Sequence, residues 1–247
     1  MAGISGPSLG SAIDLYTSTV SPGAGLEVGQ KIEGRNGKTF RYILNGAVNL
    51  IVGQVLQAAA EDTQFENMAV TATAINSPYL NVTNGTTTVT DAAFRGGSLS
   101  VYTAGGTVLG DEYTIMGVTG TLTSGGSMQV LLDRPLRVAA TTSCTVNMKR
   151  SPYSGVIQSP ATTPTDMAAG IAIYAVLAGQ YGFVLTHGQH TVLSDGSTFA
   201  VGSMLGTASG TAGCATVYAA GTAHQIIGVS RQAAASGHNI SAFITID

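Results

Sequence analysis

The residues best suited to chemistry are few and scattered. His187 and His190, in the tetrapeptide His-Gly-Gln-His, are spaced i and i+3. On a helix that spacing would put both rings on one face, but the glutamate of a His-Glu-x-x-His zinc site is missing. Gly188 and the alternating residues around it place the pair on a turn instead, so turn or interface histidines are expected rather than ligands. His224 and His238 join them only if the fold gathers all four. Glu61, Asp62 and Glu66, with Gln64 and Asn67 beside them, form an acidic cluster. It lacks the closely alternating oxygen ligands and glycine turn of a calcium loop, and is expected to be a solvated loop.

Nucleophiles fare no better. Gly202-Ser203 has no closing glycine to make a Gly-x-Ser-x-Gly elbow, and no Gly-x-x-x-x-Gly-Lys-Ser/Thr loop cradles a phosphate. The sparse carboxylates do not suggest the paired acids of a glycoside hydrolase. No catalytic, cofactor-binding or metal-binding residue is therefore assigned, and the chain is expected not to be an enzyme. Cys144 and Cys214, the two cysteines, read as buried small residues rather than a disulfide framework, a single bridge between them being the alternative. Asn81-Val82-Thr83, Asn84-Gly85-Thr86 and Asn239-Ile240-Ser241 match the glycosylation sequon, which carries meaning only in an exported chain.

The elements that would position any site are strands. From Gly170 to Leu205, Ile171, Ile173 and Ala175 alternate with Ala172 and Tyr174, and Phe183 and Leu185 alternate with Val184 and Thr186. This two-residue period is the strand signature. Apolar residues occur at both phases, so these strands are expected to be covered on both faces, with Tyr181 and Phe183 as core anchors. Glycines 179, 182, 188, 196 and 202 mark turns, Asp195-Gly196 in particular. Upstream, Asn36-Gly37 and Asn45-Gly46 are further turn pairs, and 48–56 reads as strand or short helix. Short strands are expected at 69–75, 86–89, 99–102, 113–118, 128–132 and 145–148, and closing strands at 225–229 and 241–246.

The fold expected is all-β: short-stranded antiparallel barrel or sandwich units with an extended N-terminal arm. Its expected parts are an arm at 1–33, a β domain at 34–150 and a C-terminal barrel-like domain at 151–247, with 151–164 as the connection. The first 30 residues carry Pro7, Pro22, Gly23 and Gly25 among isolated apolar residues, so the arm has no core of its own. Ile4, Leu9, Ile13 and Leu15 are the expected contacts with an assembly partner.

Charged residues make up 9% of the chain, against about 25% in ordinary soluble domains, which suggests a surface largely covered by other chains. A secreted or membrane-associated Thr/Ser/Gly-rich β protein is the alternative. The net charge is -3 with no basic cluster, which argues against nucleic acid as a partner. No apolar run approaches the ~18 residues of a membrane helix, and the first 16 residues lack the basic and apolar regions of a signal peptide. Assembly in a cytoplasm is expected.

Several segments, in order, resemble a family of small structural proteins of tailed bacteriophage heads, of the capsid cement or decoration type. They are PYSGVIQSP (152–160), GIAIYAVLAGQYGFVLTHG (170–188), TFAVGSML (198–205), IIGVS (226–230) and the terminal AFITID, with weaker likeness at 34–56 and 131–139. Phe183 stands where many relatives are expected to carry Trp. The resemblance implies a non-enzymatic virion protein without cofactors, a homotrimer on the capsid surface, whose partners are the major capsid protein and itself. A host-facing fibre or adhesin module is the competing expectation.

Overall fold

The computed structural model describes residues 14–103, 106–107, 112–120, 122–207, 210–220, 224–235 and 238–247. The described chain is almost entirely β structure, in two units with separate hydrophobic cores. One unit takes the chain up to Ala60 and again from Pro152; the other is Glu61–Ser151.

In the first unit a five-stranded barrel closes on itself. Its strands are β2 (Thr39–Asn45), β10 (Ser154–Gln158), β3 (Val55–Gln57), β11 (Ala168–Ala172) and β12 (Tyr181–Val192), with β12 returning to pair with β2. Closure removes the unpaired edges that an open sheet would leave. The β10–β2 pair is parallel and the other barrel pairs are antiparallel. β1 (Lys31–Glu33) adds to β2 through the expected Asn36-Gly37 hairpin, with φ of 62° and 69° at the two turn residues. Asn and Gly accept that left-handed conformation at least cost.

β12 is twelve residues long and serves two structures. Its first half belongs to the barrel, and its second half pairs with β16 (Ile240–Thr245) from His187↔Thr245 to Val192↔Ile240. From there the sheet extends through β15 (Ile226–Ser230) and β13 (Met204–Thr207) to β14 (Ala215–Val217). The first six residues of β12 are all buried, as expected for a strand covered on both faces. Phe183 and Tyr181 flank Tyr42, at ring distances of 4.9 and 5.8 Å.

The second unit is one sheet, β4 (Met68–Ala69), β9 (Thr145–Lys149), β6 (Ser98–Tyr102), β7 (Tyr113–Gly120), β8 (Ser127–Leu132) and β5 (Tyr79–Thr83), all antiparallel. A bridge between Val70 and Val82 brings its first strand round to its last. One helical turn, α1 (Asp91–Phe94), carries Phe94 against Phe65 in the core.

Four sequence expectations are corrected. Residues 34–60 do not open the second unit, because the sheet partners of β2 and β3 are β10, β11 and β12, far along the chain. The proline-rich 151–164 stretch is not a simple connection, since Ser154–Gln158 is a barrel strand. Asp195-Gly196 joins no paired strands: β12 ends at Val192 and β13 begins at Met204. Strand pairing, which is non-local, decides all three. In the second unit, β5 replaces the strand expected at 86–89, and only Met68–Ala69 of 69–75 is regular strand.

Candidate attachment surface

At the end of β2 the side chain of Asn45 is buried and its amide gathers three backbone carbonyls. Nδ2 donates to Val48 O at 2.9 Å, Val176 O at 3.0 Å and Leu177 O at 2.9 Å. This clamps the loop after β2 to the 173–180 loop between β11 and β12. Backbone bonds complete it: Asn45 N to Gln180 O, Gly179 N to Gly46 O, and Leu50 N to Val176 O. Gly179 takes a φ of 69° so that the turn can close.

On this frame sit apolar side chains that the core does not use. Val48, Ile51 and Val52 project from one loop and Leu177, 48% exposed, from the other. The chain from Asp14 brings two more, Tyr16 and Val20, the latter 77% exposed. That segment is fixed by paired backbone bonds between Thr19 and Tyr181, at 3.0 and 2.8 Å. Three side chains tie it further: Ser18 Oγ donates to Gln180 Oε1, the Tyr174 hydroxyl donates to Thr17 O, and Gly23 N–H donates to the Tyr42 hydroxyl. Burial pushes the Tyr174 phenol up to about 12, against the lowering effect of the N–H donated by Phe183. It is therefore a neutral donor at any working pH. Gly182 must lack a side chain, because a Cβ there would run into the Tyr174 hydroxyl.

The arm expectation changes accordingly. Leu15 is 5% exposed and belongs to the core of the first unit, so it is not an assembly contact. From Asp14 onward the arm shares the barrel's core. Ile4, Leu9 and Ile13 lie outside the described residues. Tyr181 and Phe183 are both buried, in the same cluster as Tyr42.

The second unit contains the same clamp with different cargo. Asn84, buried just after β5, donates Nδ2 to Thr87 O, Leu122 O and Thr123 O at 2.9, 2.9 and 3.0 Å. Asn84 N bonds Gly126 O, Gly125 N bonds Gly85 O, and Val89 N bonds Leu122 O. Each bond matches one in the first unit, and Gly125, at φ 67°, matches Gly179. Here the loop residues are Thr86, Thr87, Thr88, Thr123 and Ser124. Asn84 is buried as part of this clamp, so its sequon describes a structural amide.

The chemically suggestive residues do not converge. His187 and His190 lie within β12, not on a turn, three positions apart and therefore on opposite faces of the strand. Gly188 allows close passage instead: a Cβ there would meet Lys38 Cγ at 2.9 Å. Asp62 accepts from the Gln64 N–H, and Glu61 pairs with Lys149 at 2.9 Å. Among the described residues no three His, Cys, Asp or Glu side chains come together as a metal site. Cys144 and Cys214 are free, buried thiols. No helix of the described residues is long and apolar enough to cross a membrane.

Sequence reasoning missed the loop cluster. Its signal was the Asn-Gly pair followed, five residues after each Asn, by an apolar residue: Asn45 to Leu50 and Asn84 to Val89. Comparison with known protein families, with curated proteins and with solved structures finds no match.

Proposed function

We propose that this chain is a structural protein of a tailed bacteriophage particle, of the cement or decoration type. It sits on the outside of the capsid as an oligomer, a trimer by the resemblance, and bridges neighbouring copies of the major capsid protein. The proposed role is non-enzymatic and needs no cofactor, and assembly takes place in the host cytoplasm.

The observation that carries this reading is the apolar loop cluster of the first unit. Single exposed apolar residues are ordinary, but a cluster on a fixed frame marks a surface meant for another protein. The second unit closes the same clamp with threonines and serine, so folding does not require the valines, isoleucine and leucine of the first. Low overall charge and the ordered sequence segments support the same reading.

Quantitative mass spectrometry of particles from the virus that encodes the chain tests it. The expected result is a copy number comparable to that of the major capsid protein, with heads that lose DNA at lower temperature when the chain is deleted. A few copies per particle, co-purifying with tails, would replace the capsid role with that of a host-facing fibre.

A further inference from the structure

A polar groove of about 550 Å³ opens in the first unit where β12 runs on past Thr39, the first residue of β2. One wall is the tight turn after β1, with Asn36 at its tip and Lys38 just beyond; the others come from β12, β16 and Arg231. Among the described residues no carboxylate lines the groove. On the flanking elements, Glu33 of β1 pairs with Lys31 and Asp247, beyond β16, with Arg41. Lys38 and Arg231 have no ion-pair partner among the described residues. The groove therefore carries net positive charge in a chain whose net charge is -3.

Its neutral groups alternate donors with acceptors. Gln189 Nε2 donates to Ser241 Oγ at 3.0 Å, which leaves the amide oxygen free to accept. His190 Nδ1 lies 2.8 Å from Thr191 O, a carbonyl that can only accept, so Nδ1 carries the proton and Nε2 is left as an acceptor when the ring is neutral. Burial, and then the Lys38 charge, hold the His190 imidazole below its ordinary value, outweighing the bond to Thr191. Phe243 supplies a half-buried ring, with the His187 ring edge-on at 5.1 Å. An aromatic ring, amides and hydroxyls are what a sugar ring needs, and the two cations call for carboxylates on it.

We propose that this groove binds an acidic oligosaccharide of the uronic-acid class, its carboxylates paired with Lys38 on one side and Arg231 on the other and a sugar face on Phe243. Nucleic acid is the weaker fit, because two cations are too few for a backbone and the groove offers one aromatic ring. The proposal does not depend on capsid attachment, and variants of the groove should attach to particles as the parent does.

Titration of the full chain with trigalacturonate, followed by amide chemical shifts and calorimetry, tests it. Binding is expected to shift the amides of Gln189, His190 and Phe243, and to weaken at least about tenfold in K38Q/R231Q, in which glutamine keeps part of the half-buried Lys38 stem and replaces the exposed Arg231, with the melting temperature measured alongside and expected to stay within about 2 °C of the parent. The trimethyl ester should lose affinity to a similar extent in the parent protein. F243L should weaken trigalacturonate and leave inorganic sulfate unaffected. Equal binding of acid and ester, unchanged binding in K38Q/R231Q, or saturation by sulfate or a short single-stranded DNA at the same or lower concentration would each overturn the proposal.

Discussion

In the first unit the amide of Asn45 holds the carbonyls of Val48, Val176 and Leu177; in the second the amide of Asn84 holds those of Thr87, Leu122 and Thr123. The backbone bonds around the two amides correspond one for one. The strands that follow also correspond: Leu44 pairs with Tyr181 at the start of β12, and Thr83 with Ser127 at the start of β8. What differs is the loop chemistry, apolar and exposed in one unit, Thr-rich in the other. A buried amide satisfying several carbonyls is a folding requirement, because loop backbone cannot be buried unpaired. The side chains it holds up are free to serve another end. In each unit the clamp that makes the fold is thus separate from the loop side chains available for contact.

Substitution tests this separation at several strengths, of which the aromatic anchor is the strongest. Phe183→Ala removes a ring that is 2% exposed and lies against Tyr42, and should cost about 3 to 5 kcal/mol. Hydrogen exchange should then rise across the first unit and remain low in the second. A melt that does not move would place Phe183 outside the core.

The clamps come next. Asn45→Ala and Asn84→Ala each remove a buried amide whose two N–H groups serve three carbonyls, a loss of about 2 to 3 kcal/mol at about 1 kcal/mol per bond. Denaturant unfolding with exchange mass spectrometry should localise each loss to its own unit, at similar size. Losses differing by more than about 2 kcal/mol would mean that the two amides are not the same device.

Acid should act more weakly. The Arg41 guanidinium donates to Asp247 at 2.6 and 2.9 Å and holds that carboxyl below its ordinary 3.8. A carboxyl with a depressed folded value adds stability above its unfolded value and loses it as pH falls through the folded one. The first unit should therefore loosen below about pH 4, and screening at this partly exposed pair limits the loss to under about 1 kcal/mol. Arg41→Gln should abolish that pH dependence in an acid titration of the melting temperature.

The smallest effect on stability is predicted for the loop cargo. Leu177→Asp and Val48→Asp should shift unfolding by no more than about 0.5 kcal/mol, as exposed positions do, yet reduce attachment to particles. Thr87→Asp in the second unit should leave attachment unchanged. If Leu177→Asp unfolds the barrel instead, the loop is part of the core and the contrast between the units fails.

Much of the local structure was legible. Alternation at 99–102, 113–118, 128–132 and 145–148 located β6 to β9 within a residue or two, and the apolar residues at both phases of 183–186 announced a strand covered on both faces. The Asn36-Gly37 hairpin followed from the tolerance of those two residues for positive φ. The histidines could not be placed so well, because Gly188 signals a break equally whether the chain turns there or lets Lys38 pass closely. The arm was misjudged for a related reason: its prolines and glycines rule out a core of its own, and say nothing about joining one supplied by residues more than 100 positions away.

Side-chain period, turn chemistry and composition act over a few residues, and those the sequence by itself determined: an all-β chain of short strands, low in charge, with buried aromatics at Tyr181 and Phe183. Partners across a sheet are chosen by burial and hydrogen bonding summed over the whole chain. Only the tertiary structure could therefore decide that 34–60 belongs with 152–247, that β12 serves a barrel and its extension, and that two distant Asn-Gly pairs clamp two loop pairs with one geometry.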